Sequence, residues 1–201
     1  MTAVLVITTG GTIGALPYPD SSKPPPTQLM PDDGRDLVAE VLKHPEFSFV
    51  AVRCVSFEPK DSKYIDDAYR NKIIDAIVAA PEQGVIITHG TDTLLQSADY
   101  FYQQRQTNPA LGKKAIILMG AMVALANGPQ SDGYLNLEFS LRQTADSALR
   151  PGIYVVLCNY AEPDAARGEW KPQLYSHQPG KYEKIFGSDG RYNRLRPIEK
   201  R

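Results

Sequence analysis

Gly84-Val85-Ile86-Ile87-Thr88-His89-Gly90-Thr91-Asp92-Thr93 decides how this chain is read. Its first five residues, small and β-branched, make a strand suited to burial on both faces. A polar break with one glycine follows. Over residues 93–104, Leu94, Leu95, Ala98 and Tyr102 then recur at three- and four-residue spacing, as on one face of a helix. Strand, polar turn and helix in that order form the repeating unit of a parallel sheet covered by helices.

The same unit recurs on both sides of this stretch. Apolar runs at 4–9, 49–55, 115–119 and 153–157 predict four more strands, and periodic stretches at 33–43, 65–80 and 137–149 predict helices between them. The expected fold is therefore α/β and doubly wound, with a mainly parallel five-stranded sheet and helices on both faces. Two segments break the alternation. Residues 16–34 carry the run Pro24-Pro25-Pro26 and are too long for a turn, which predicts a lid loop. Beyond residue 166, Pro172, Pro179, Gly180, Gly187 and Gly190 interrupt any period. The expected organisation is one α/β domain over 1–166 and an irregular basic tail over 167–201.

Composition limits what such a domain does. A hydrophobic share of 42% and a charged share of 22% over 201 residues suit a globular chain, and the net charge of -1 gives no overall attraction to nucleic acid. The charge is uneven, with nine Lys/Arg against four Asp/Glu from Arg167 onward. That basic tail is expected to dock on the acidic body or on another subunit. Cys54 and Cys158 lie in apolar runs, as reduced buried thiols do, and no stretch is long and apolar enough for a membrane span. These features predict a cytoplasmic protein with no nucleic-acid and no membrane partner.

In an open parallel sheet, chemistry sits at the carboxyl ends of the strands. Thr9-Gly10-Gly11-Thr12 follows the first predicted strand, Asp61-Ser62-Lys63 lies beyond the second, His89-Gly90-Thr91-Asp92 follows the third and Gly120-Ala121-Met122 the fourth. The glycines at 10, 11 and 14 do not fit the dinucleotide fingerprint, and neither a phosphate-binding P-loop nor a serine elbow is present. His44, His89 and His177 are too scattered for a metal site, so no metal or other cofactor is expected. A threonine hydroxyl remains. Thr12 lies past a two-glycine turn where a substrate can approach the backbone, with amide N–H groups facing it. Thr91, Asp92 and Lys114 offer the acid–base partners that a hydroxyl nucleophile needs. His89 to Thr93 could equally cap the following helix.

The chain resembles the bacterial L-asparaginase/glutaminase family through Thr9-Gly10-Gly11-Thr12-Ile13, through Val85 to Thr93, and through Lys114 followed by an apolar strand and Gly120-Ala121-Met122. Ser131-Asp132-Gly133 and the strand at 152–157 extend the similarity to about residue 165. The resemblance implies an amidohydrolase that releases ammonia from L-asparagine, L-glutamine or a related amide through a threonine acyl-enzyme. It makes Thr12 the nucleophile and Thr91, Asp92 and Lys114 a second catalytic set, with Tyr18 of the lid assisting. Gly11, Asp61, Ser62, Lys63 and Gly90 would hold a small amino-acid amide, Ser62 at its α-carboxylate and Asp92 also at its α-amino group. Lys63 stands where a neutral residue is typical; it either meets a substrate carboxylate or is simply solvated. A homo-oligomer is implied as well, because the family completes its site with a neighbour's second domain. The alternative is a non-catalytic amino-acid or nucleotide binding module on the same fold.

Overall fold

The computed structural model describes residues 3–17, 31, 33–146, 148–160, 170–186 and 193–198. Strands β1 (Val4–Thr8), β2 (Val52–Ser56), β3 (Gly84–Thr88), β4 (Ala115–Met119) and β5 (Gly152–Tyr160) run parallel in the order β2-β1-β3-β4-β5. A sixth strand, β6 (Trp170–Ser176), pairs antiparallel with β5, setting Val155 opposite Tyr175 and Cys158 opposite Pro172. The five expected parallel strands are present. The sheet is six-stranded and mixed at one edge.

Alternation along the strands sorts their side chains into two cores. Leu5, Ile7, Val85, Ile87, Ile116 and Leu118 pack under α2 (Asp67–Ala79) and α3 (Leu94–Thr107). Val4, Val6, Ile86, Ile117 and Met119 point the other way and meet α1 (Leu37–Val41) and α5 (Asp132–Ala145) through Val38, Leu137 and Leu141. A one-turn helix, α4 (Pro109–Gly112), leads into β4, and Asn108 caps it by accepting the Ala110 and Leu111 N–H groups. Burial of both faces explains why these strands read as unbroken apolar runs.

The expectation of an irregular tail is corrected. Besides β6, the described part of the tail forms an antiparallel pair, β7 (Tyr182–Phe186) and β8 (Asn193–Pro197). β8 packs on β5 and buries Leu195 in the core beneath α2 and α3, while Tyr175 and Tyr182 meet edge-on at 5.3 Å. Pro172 hid β6 from a sequence reading. An edge strand pairs on one side only, so it tolerates a residue without an N–H. The lid at 16–34 falls mostly outside the described residues, as does Tyr18. Among the described residues no helix is long and apolar enough to cross a membrane.

Candidate active site

β1 sits between β2 and β3, so the chain leaves it toward one edge of the sheet and later returns to build toward the other. The crevice at that switch is where an open α/β sheet binds its ligands. The loops meeting there are laced by backbone hydrogen bonds. The Phe57 N–H donates to Thr8 O at 2.9 Å, the Lys60 N–H to Thr9 O at 2.9 Å and the Gly11 N–H to Lys60 O at 3.2 Å. The Gly11 amide is thus spent on the neighbouring loop.

Glycine sets how closely these loops approach. Gly11 has φ +75°, and a Cβ there would lie 2.5 Å from Gly90 Cα. A Cβ on Gly90 would in turn lie 2.7 Å from both Cβ and Oγ of Ser62. Gly11, Gly90 and Ser62 therefore stack backbone on backbone, and no larger residue fits at either glycine without moving a loop. Thr12 and Thr91 each follow one of these touching glycines, and both are nearly buried. Thr12 opens a short 3-10 turn, Thr12–Gly14, behind Gly11. The Thr91 methyl packs toward Gly120, where a Cβ would lie 2.8 Å away.

The stretch from His89 to Thr93 leads directly into α3. Thr93 is the N-cap residue, and its hydroxyl donates to Ser62 O at 2.8 Å instead of accepting from the helix. Across the cleft, Asp61 accepts the Lys63 N–H at 3.0 Å and shapes the turn Ser62–Tyr64, which sends Ser62 inward at 2% exposure. Asp61 therefore holds the turn. Lys63 Nζ stands 3.2 Å from Asp92 Oδ2, and the Asp92 carboxylate beside it raises its pKa above the usual lysine value.

Lys114 is not brought to this crevice. It precedes β4, and the Ala115 N–H donates to Gln83 O at the amino edge of the sheet. At about 3.3 Å per residue, a five-residue strand separates that edge from the carboxyl end by roughly 17 Å. Nζ of Lys114 donates to Ala80 O at 2.7 Å and Glu82 O at 2.6 Å, and burial lowers its pKa against the pull of Glu82. The expected Lys114–Asp92 pairing gives way to Lys63–Asp92. Lys171, opposite Asn159 near the carboxyl end of β5, is the lysine that β6 adds at the crevice end of the sheet.

Three supporting residues carry more of the site's geometry than a sequence reading assigns them. Fully buried His89 donates from Nδ1 to Gly90 O at 2.8 Å, so Nε2 accepts from the Ser97 hydroxyl at 2.9 Å; Ser97 in turn accepts from Arg70 Nε at 2.9 Å. This directional chain requires a neutral ring. Burial, aided by the Arg70 charge, lowers the His89 pKa to about 4 against the Gly90 hydrogen bond. Asp132 accepts the Met122 and Val123 N–H groups, both at 2.8 Å, and fixes the loop after β4, while burial raises its pKa to about 6. Asp36 accepts the Thr8 and Ser56 hydroxyls together with the Val38 and Ala39 N–H groups, tying the ends of β1 and β2 to α1. Its signal was an aspartate before an apolar run.

Among the described residues no group of three or more His, Cys, Asp or Glu side chains could hold a metal ion. Cys54 is half-buried and Cys158 buried, both as free thiols, and burial raises the pKa of each.

Residues 3–169 match the family described as "Asparaginase, N-terminal". L-asparaginase I from Vibrio cholerae O1 biovar eltor str. N16961 superposes with a TM-score of 0.67 at 20% identity, over 98% of this chain and 50% of that one. A probable cytoplasmic L-asparaginase from Campylobacter jejuni gives a TM-score of 0.56 at 20% identity, over 79% of this chain and 45% of that one. At that identity the likeness is one of fold. The chain spans about half the length of these solved structures.

Proposed function

The chain belongs to the asparaginase family through that family's N-terminal domain, and from this premise we propose that it hydrolyses a side-chain amide of the asparagine type to a carboxylate and ammonia. The observation that carries the reading is the stack of Gly11, Gly90 and Ser62 at the switch point, with a nearly buried threonine leaving each glycine. In this reading Thr12 Oγ attacks the amide carbon. Its proton passes by way of Thr91 and Asp92 to the amide nitrogen, the C–N bond breaks, and that nitrogen departs as ammonia. Water then attacks the threonine ester, the C–O bond to Thr12 breaks, and the hydroxyl regains its proton. Ser62 and Gly90 form the wall against which the substrate lies. Lys63 is a cation at Asp92, and Lys114 has no part in the chemistry.

Two free thiols fit a reducing, cytoplasmic setting, and a homo-oligomer is proposed as the assembly that covers the open rim. The test is ammonia release from L-asparagine and L-glutamine by the wild type and by Thr12→Ala, with folding checked by circular dichroism. The expected loss in Thr12→Ala is about a thousandfold or more. A folded Thr12→Ala protein that keeps a tenth of wild-type turnover, about one factor of ten in rate, removes Thr12 as nucleophile. Saturable amide binding without ammonia release would mark a binding module.

A further inference from the structure

Ser62, Lys63 and Tyr64 are consecutive, yet the turn that Asp61 caps sorts them by destination. Ser62 goes into the stack against Gly90, whereas the Lys63 side chain is 63% exposed and Tyr64 is 74% exposed. Among the described residues Tyr64 is the most exposed of the large apolar side chains, and it ends the turn that carries Ser62 and Lys63. The Lys63 ammonium pairs with Asp92, and the nearby Asp61 carboxylate adds to the pull on its charge. Asp61 Oδ1 is already engaged by the Lys63 N–H, and its charge helps keep the ammonium at the rim.

These placements bear on what the α-nitrogen of a substrate meets. A free amino acid brings an ammonium group, which seeks a carboxylate. Asp92, half-exposed beside the Ser62–Gly90 wall, already holds the ammonium of Lys63 at 3.2 Å. A second cation must share that carboxylate against like-charge repulsion or displace the lysine. An acylated α-nitrogen meets no such opposition. It is neutral, its N–H can still donate to Asp92, and the Lys63 ammonium attracts the α-carboxylate that the molecule retains. The acyl group then extends over the rim, where the Tyr64 ring offers an apolar face. Resting on the amidohydrolase reading above, we infer that the substrate is an asparagine-type amide whose α-nitrogen is acylated and uncharged while its α-carboxylate is free, the chemistry shared by N-acyl-asparagine and a peptide ending in asparagine.

The experiment compares N-acetyl-L-asparagine with L-asparagine in two readouts: kcat/KM for ammonia release by the full chain, and calorimetric affinity for the Thr12→Ala protein. The expected preference for the acetylated amide is about tenfold in both. An exposed ion pair contributes modestly, so Lys63→Met should reduce the preference by about threefold or more. Tyr64→Ala should reduce it too, chiefly through affinity for the acetylated form. Both side chains are largely exposed, and ratios between substrates cancel any general loss of activity. Equal or better use of free asparagine, a ratio untouched by Lys63→Met, or no binding of either amide at millimolar concentration overturns the inference. Tighter, Lys63-dependent binding of N-acetyl-L-asparagine without ammonia release sustains it while refuting hydrolysis. A C-terminal asparagine dipeptide run in parallel tells the two substrate sources apart.

Discussion

Lys114 anchors the end of α2 to the start of β4 by donating to Ala80 O and Glu82 O, and Glu82 holds Arg53 with two further hydrogen bonds at 2.7 and 2.8 Å. Removing the ammonium leaves two carbonyls without their donor, each costing on the order of 1 to 3 kcal/mol where water cannot reach. Lys114→Met should therefore lower the urea midpoint clearly while leaving the kcat of the folded fraction unchanged. A kcat that falls with little loss of stability would return Lys114 to the chemistry. Its place was legible in the sequence. A lysine immediately before a parallel strand lies at the amino end, and the crevice lies at the carboxyl end. Lys63 was harder to assign, because its approach to Asp92 joins loops that follow different strands, and no periodicity within either loop reports on the other.

Among the elements, the ends of β1, β3 and β4 were legible because each stops at a threonine or just before a glycine, whereas β5 runs on to Tyr160, past its expected end at 157. The helix starts shifted where a local cap prevailed over the periodic pattern. Asp36, not Asp33, accepts from the first turn of α1, and Ser131 caps α5 by accepting the Tyr134 N–H at 3.0 Å, several residues before the expected start. β6 was missed because its paired partner, not its own alternation, makes it a strand. The glycine stack yields a prediction at this scale. Gly90→Ala places a methyl 2.7 Å from Ser62 Oγ and should destabilise the protein by about 1 to 3 kcal/mol, as overpacking does. Ser62→Gly should recover part of that loss in the double variant, because the two side chains compete for one space. Urea midpoints for the four proteins of this cycle give the coupling, and strict additivity would mean that the loops do not touch as described.

Among the buried titrating groups of the described residues, His89 and Asp132 have effects on the stability of the whole molecule that oppose each other. His89 is held neutral, with a folded pKa of about 4 against an ordinary 6.5, so between those values the unfolded chain binds the extra proton and stability rises with pH. Asp132 is the reverse case. Its folded pKa of about 6 lies above the ordinary 3.8, so over nearly the same interval the folded chain binds the extra proton, and stability falls as pH rises. Each effect is on the order of 3 kcal/mol, and together they largely cancel. Below that interval Glu82 takes over: the Arg53 hydrogen bonds hold its pKa down to about 2, and its contribution is lost as pH falls from its ordinary 4.5. The wild type should therefore show a nearly level urea midpoint between pH 4 and 6 and a decline below it. Asp132→Asn removes the falling contribution, so its midpoint should climb with pH across the interval, even though the variant starts lower through a weakened grip on the Met122 and Val123 amides. His89→Gln removes the rising contribution, and its midpoint should descend across the same range. Urea titrations of the three proteins at half-unit pH steps check this. Parallel profiles for all three would show that neither side chain changes its proton affinity on folding.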